Sequence, residues 1–210
     1  MSFNSCGSCE SCLENKPSYC HDFFGRNFAG SRADGSSPLH KGPESIHGNF
    51  FGQSSFADHA LCTERNIVKV RCDAPLELLG PLACGIQTGA GAVINALKVG
   101  PGKKFAVFGV GSVGLSAVMA AHLVGAGTII AIDMHPERLK EALELGATHV
   151  VNPRNESVGD EVMKITGTGV HYSLETTSLP IDGGEVVDRR LPIDRVGACC
   201  LTPRNMDNYH

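Results

Sequence analysis

Short unbroken apolar runs alternate with longer stretches of helix formers from about residue 100 to residue 180, and nowhere else in the chain. Runs of that length, bounded by glycine or charge, read as parallel strands buried on both faces. The pattern predicts strands over 105–110, 128–133, 149–152 and 172–176, with a fifth over 196–201. Between the first two, residues 115–123 favour a helix that Gly125 and Gly127 stop. Pro136 suits the first turn of another helix ending near Leu145, because an N–H is not needed there. A helix over 90–97 leads into the sheet. Upstream the rhythm fades. Residues 1–82 are polar and rich in glycine, serine and cysteine, with short strands expected near 50–61 and 67–70 and a loop over 31–45. Residues 181–192 mix glycine, charge and proline without a helical period, and 202–210 read as a polar tail. The expected division is therefore 1–82 and 83–210, the second part being α/β with a parallel sheet.

Composition narrows the function. Of 210 residues 42% are apolar, enough for a real core. The formal charge of −4, with no cluster of Lys and Arg, gives no electrostatic footprint for nucleic acid or an anionic membrane. Residues 115–132 approach the length of a membrane span, but His122, Gly125 and Gly127 interrupt them, and a helix followed by a strand explains them better. No secretory signal opens the chain. Four of the nine cysteines fall in one short segment, which points to a reducing, cytoplasmic setting with a metal site.

The strongest chemical signal is Gly109-Val110-Gly111-Ser112-Val113-Gly114, placed between the first expected strand and its helix. A Gly-x-Gly-x-x-Gly alone is weak; here strand, turn, helix, second strand and Asp133 follow in order, the acid at about the twenty-residue interval of a dinucleotide-binding unit. Gly109 permits the tight turn, Gly111 lets a pyrophosphate approach the backbone, and Gly114 lets helix and strand pack closely. The helix start offers free N–H groups and a favourable dipole to phosphate. Asp133 can accept hydrogen bonds from ribose hydroxyls and would repel a 2′-phosphate, which favours NAD over NADP. The bland alternative is a glycine turn without a dinucleotide.

Cys6, Cys9, Cys12 and Cys20 form Cys-x2-Cys-x2-Cys-x7-Cys in a segment too short and polar to bury a core. Four thiolates fit tetrahedral zinc with no open position, a structural site. An iron–sulfur cluster is the rival, but the bacterial ferredoxin run has three residues before its last cysteine and a proline after it. Here seven intervene and His21 follows. Disulfides or an empty site remain as further alternatives.

With the quartet placed before the glycine loop, the chain resembles the zinc-dependent medium-chain alcohol dehydrogenases from residue 1 to about residue 180. Segments 51–57, 79–89 and 144–149 look most like the aryl-alcohol (benzyl-alcohol) branch. The resemblance implies a Rossmann-type parallel sheet, incomplete, preceded by part of a β-rich GroES-like catalytic domain carrying the structural-zinc loop. It implies an NAD-dependent oxidoreductase that passes a hydride between an alcohol and the nicotinamide, with a zinc ion as Lewis acid. Cys84 matches the third catalytic-zinc ligand, Thr88 and Val113 match positions beside the nicotinamide, Arg138 a basic residue near the adenosine ribose, and Phe50 and Phe51 the wall of the substrate pocket. The implied partners are a small alcohol or aldehyde, with no nucleic acid and no membrane.

The chain also departs from that family. The first two catalytic-zinc ligands and the proton-relay hydroxyl have no counterpart here, and His40, His47, His59 and His122 lie in no ligand motif, so they read as surface or core residues. The sixth strand and the subunit-pairing segment are missing too, so the family's oligomeric state does not carry over. The chain thus reads as an incomplete member of an enzyme family, expected to expose apolar surface and to be poorly soluble. A non-catalytic cofactor-binding or interaction module is the alternative, and an electron carrier built on the quartet is a weaker one.

Overall fold

The computed structural model describes residues 3–53, 59–177 and 193–198, and the chain divides into two units, Met1–Leu76 and Glu77–His210. The first unit is mostly turns. Two short helices, α1 (Glu10–Leu13) and α2 (Phe23–Phe28), precede a hairpin of β1 (Leu39–Lys41) and β2 (Glu44–Ile46). That hairpin stands where the pattern predicts only a loop. All six of its side chains are exposed, so no alternation marks it. Gly42, at φ 61°, supplies the positive backbone angle that a two-residue hairpin turn needs.

The two strands expected in this unit are not formed as predicted. Phe50–Gly52 is a single 3-10 turn, with Asn49 and Phe51 in the left-handed region at φ 61° and 53°, and residues 54–58 lie outside the described residues. Residues 67–70 have no strand partner among the described residues, and Val68 is 72% exposed. Extended, β-branched sequence does not make a strand without a neighbour to pair with.

The second unit follows the apolar rhythm closely. Its elements are α3 (Gly85–Gly91), β3 (Lys104–Phe108), α4 (Ser112–Leu123), β4 (Thr128–Ile132), α5 (Pro136–Glu144), β5 (His149–Val151), α6 (Val158–Thr166), β6 (Val170–Glu175) and β7 (Ile193–Ala198). The five strands form one parallel sheet in the order β5-β4-β3-β6-β7. β3 sits at the centre, and its alternate side chains feed two cores. Phe105 and Val107 join Ala117, Val118 and Ala121 of α4 with Leu139 and Ala142 of α5. Ala106 and Phe108 pack with Ile130, Ile132 and Val162 of α6 on the other face. Helices on both faces explain why the strands read as continuous apolar runs.

Two element boundaries differ from the pattern for physical reasons. The helix expected over 90–97 begins earlier, as α3, and continues as a wider π-type turn over Ala92–Ala96. Its glycine-rich start opposes helix propensity, but that is what lets α3 lie against α4: a Cβ on Gly89 would stand 2.0 Å from the Val113 carbonyl oxygen. The last strand begins at Ile193 rather than 196; residues 199–201 lie outside the described residues, as do residues 181–192, which the pattern leaves without a helical period. Among the described residues no single helix is long and apolar enough to cross a membrane. Large apolar side chains do lie exposed, among them Leu61, Ile67 and Leu76 in the first unit and Leu78 and Leu123 in the second.

Candidate functional site

In the second unit the chain leaves β3 at the point where the sheet order reverses, with β4 on one side and β6 on the other. Crevices form at such points, outside the carboxyl ends of the strands. Gly109 turns there at φ 80°, its N–H donating to the Ile132 carbonyl at 2.8 Å. A Cβ on Gly114 would stand 1.9 Å from the Gly109 carbonyl oxygen, so the start of α4 folds back directly onto the turn. Gly111, by contrast, faces open space: nothing lies within 4 Å of where its Cβ would be. No side chain caps the start of α4. The result is a cradle of backbone N–H groups at an uncapped helix start, shaped for an anion and open at its middle glycine. The three glycines therefore fit a pyrophosphate by geometry as well as by spacing.

Asp133 follows β4 and is only 7% exposed. Its Oδ2 accepts the Val110 N–H at 2.9 Å and its Oδ1 accepts the His135 N–H at 2.8 Å. The sequence points to this acid as a ribose ligand; the structure adds that it braces the turn. Each carboxylate oxygen keeps a further lone pair, so the two uses are compatible. Arg138, on α5, places Nη1 3.6 Å from Asp133 Oδ2, half-exposed.

Thr88 and Val113 sit on facing helices, since Gly89 touches the Val113 carbonyl and Ser116 Oγ donates to the Ile86 carbonyl at 2.6 Å. Cys84 stands exposed at the start of α3, and Gly85 after it meets Ser112, the first residue of α4. Among the described residues Cys84 belongs to no cluster of three or more metal-ligating groups.

The end of β6 holds residues that sequence reasoning passes over. Thr176 Oγ1 reaches the Phe108 and Gly109 carbonyl oxygens, and its N–H donates to Phe108 at 2.9 Å. Glu175 is 8% exposed; its Oε1 accepts the Thr177 N–H while its Oε2 is buried and, among the described residues, has no hydrogen-bond partner. Burial pushes its carboxyl above the usual range, partly offset by that hydrogen bond. A carboxylate closing an apolar strand is the one sequence signal that could have drawn attention here.

In the first unit the sulfurs of Cys6, Cys9, Cys12 and Cys20 all lie within 4.8 Å of one another. Cys6 and Cys12 Sγ are 3.9 Å apart. Tetrahedral zinc with bonds of about 2.3 Å would set its sulfurs about 3.8 Å apart, so the quartet fits one such ion. All four thiols are free, which removes the disulfide alternative. Gly7 makes the tight turn between Cys6 and Cys9 at φ 75°, and Arg65 Nη2 donates to the Ser5 carbonyl beside it at 3.0 Å. Backbone N–H groups of Ser8 and Cys9 point at Cys6 Sγ and pull its thiol down to about 5. Desolvation pushes Cys12 up to about 11.

The frame around the quartet is polar and aromatic. Asn27 on α2 is 1% exposed; its Oδ1 accepts the Asn4 N–H at 2.7 Å and its Nδ2 donates to the carbonyls of Asn4 and Phe23. Phe50 and Phe51 stack edge to face at 4.5 Å, and both meet Phe28. Phe50 is 60% exposed, and with Phe28, Asn27 and His47 it lines a depression of about 210 Å³. His47 packs against Gly30 in that wall, while His40 lies on the exposed hairpin.

Residues 112–183 match the model of the zinc-binding dehydrogenase family. A probable alcohol dehydrogenase from Pseudomonas sp. is 51% identical over 183 residues, which are 85% of this chain and 57% of that protein. Geraniol dehydrogenase from Castellaniella defragrans is 49% identical over 201 residues, covering 94% and 53%. Among solved structures, benzyl alcohol dehydrogenase from Acinetobacter calcoaceticus superposes with a TM-score of 0.85 at 46% identity, over 95% of this chain and 54% of its own. The chain spans about half the length of the curated relatives it matches.

Proposed function

We propose, for a chain that belongs to the zinc-dependent medium-chain alcohol dehydrogenase family, that its second unit binds NAD, that its quartet holds a structural zinc ion, and that it serves the interconversion of a primary, aromatic alcohol and its aldehyde. The observation that carries this reading is the glycine turn closed by Gly109 and Gly114, open at Gly111 and followed by a buried Asp133. When bound, NAD supplies the hydride acceptor and a catalytic zinc a Lewis acid for the alcohol oxygen.

The chain's own residues take the remaining roles. The uncapped start of α4 receives the pyrophosphate. Asp133 accepts from the adenosine ribose, and Arg138 flanks the same ribose from α5. Thr88 and Val113, on facing turns of α3 and α4, border the nicotinamide. Cys84 would be one ligand of the catalytic ion, and Phe50 with Phe51 the apolar wall for the alcohol. The free thiols suit a reducing cytoplasm. A purely non-catalytic module is the less favoured reading, since the named relatives are dehydrogenases.

Calorimetry with NAD tests the reading. Asp133→Ala should weaken NAD roughly 30-fold, corresponding to about 2 kcal/mol for hydrogen bonds to a charged group, and should narrow the preference over NADP. Unchanged affinity in that variant would refute the role of Asp133. About one zinc per chain in a colourless sample is expected by metal analysis, and visible cluster absorption would refute the structural zinc. Because no second cluster of ligating groups accompanies Cys84 among the described residues, this chain alone should reduce NAD with benzyl alcohol only at background rate. Robust NADH formation would show that the missing ligands are supplied elsewhere in it.

A further inference from the structure

The peptide joining Gly109 to Val110 is held from both neighbouring strands. Its carbonyl oxygen is reached by Thr176 Oγ1, which follows β6, and its N–H donates to Asp133 Oδ2, which follows β4, at 2.9 Å. The Gly114 backbone packs against the same carbonyl oxygen. Gly109, at φ 80°, has no Cβ to restrict rotation of this peptide. Its orientation matters electrically: the turn receives an anion through N–H groups, and a carbonyl rotated into the cradle would present negative charge to the phosphate.

We infer that Thr176 is a positioning residue for the cofactor: its hydroxyl fixes the Gly109–Val110 peptide with the carbonyl turned out of the phosphate cradle. The end of β6 is built to deliver that hydroxyl. Thr176 N–H donates to the Phe108 carbonyl, extending the β3–β6 ladder by one bond, and the next N–H, of Thr177, is taken by the buried Glu175 carboxyl. A Cβ on Gly109 would meet Thr177 Cγ2 at 2.8 Å, so the first glycine and the two threonines occupy one tight junction. Asp133 cannot report this function by itself, because it also serves the ribose; Thr176 can.

The inference rests on NAD occupying the glycine turn, and the experiment separates the two. The full chain is compared with Thr176→Val, which keeps the shape and removes the hydroxyl, and with Thr176→Ser, which restores it. NAD, ADP-ribose and adenosine are titrated by calorimetry, and thermal melts establish that each variant folds. Loss of one neutral hydrogen bond should weaken NAD and ADP-ribose about three- to tenfold in Thr176→Val, leave adenosine unchanged, and be recovered to within about twofold in Thr176→Ser. Equal loss for all three ligands, or equal loss in both variants, would overturn the positioning role while leaving the NAD reading in place. Absence of NAD binding to the unaltered chain would overturn that reading and this inference with it.

Discussion

The two units are stabilised in opposite ways. In Glu77–His210 the interior is hydrocarbon: Phe105, Val107 and Ile129 are 0% exposed on strands β3 and β4, each paired on both sides, and Val118 of α4 is 0% exposed against them. Among the described residues of Met1–Leu76, Cys20 is the one buried apolar side chain, against the buried polar residues Asn4, Ser5, Asn27 and Asn66. Burial of apolar area is worth roughly 25 cal/mol per Å² and needs no particular geometry. A polar frame gains only about 1 kcal/mol per hydrogen bond, and only when every partner is in place. The second unit is therefore specified by its composition along the chain, the first by a few directional contacts and, on our reading, by a metal ion.

The largest effect that could break this contrast is loss of the metal. Chelation, or Cys20→Ser, should remove on the order of 10 kcal/mol from the first unit and leave the second intact. Limited proteolysis would then cut within residues 3–53 and spare the sheet; equal protection of both units with and without chelator would refute the contrast. Next in size is a cavity in the hydrocarbon core. Phe108→Ala, at a side chain 1% exposed, should cost about 3–5 kcal/mol, whereas Val68→Ala, in the first unit and 72% exposed, should stay within about 0.5 kcal/mol. Thermal melts compare them.

Asn27→Ala sharpens the comparison from the polar side. It strands the Asn4 N–H and carbonyl in a buried place and should cost about 1–3 kcal/mol, despite removing almost no apolar area; protease sensitivity confined to the first unit is the check. The smallest effect concerns Glu175. Its carboxyl is raised by burial, so its neutral form is favoured by folding: the stability it contributes is present at low pH and lost as pH rises through the folded value. Glu175→Gln should flatten the pH dependence of the melting temperature above the usual carboxylate range, and an unchanged slope would remove that account.

Legibility in sequence followed the same division. β3, α4, β4 and the Pro136 start of α5 could be read because each buries what its pattern shows. The sequence singles out Asp133 as a candidate ribose ligand but does not reveal it as a brace for Val110, since a hydrogen bond to a backbone N–H twenty-three residues away leaves no periodic trace. α3 was obscured because its glycines serve close packing on α4 and contradict propensity. The hairpin at Leu39–Ile46 and the left-handed Phe51 were not legible at all, because neither depends on an apolar period. The quartet was legible from spacing alone; metal ligation, like apolar burial, repeats a residue type at intervals that geometry dictates.

The central position of β3 has a consequence in time. It is the first strand of the sheet to leave the ribosome, and its neighbour on one side, β4, follows within about twenty residues, a short loop to close. Its other neighbour, β6, is more than sixty residues away in the chain, since Phe105 pairs with Tyr172. A nascent chain can thus assemble strand, glycine turn, helix and second strand as a local unit before the segment carrying Thr176 has been synthesised. The half of the Gly109–Val110 peptide that Asp133 holds is secured early, and the half that Thr176 holds is secured last, so readiness for the cofactor is a late event in the birth of the domain.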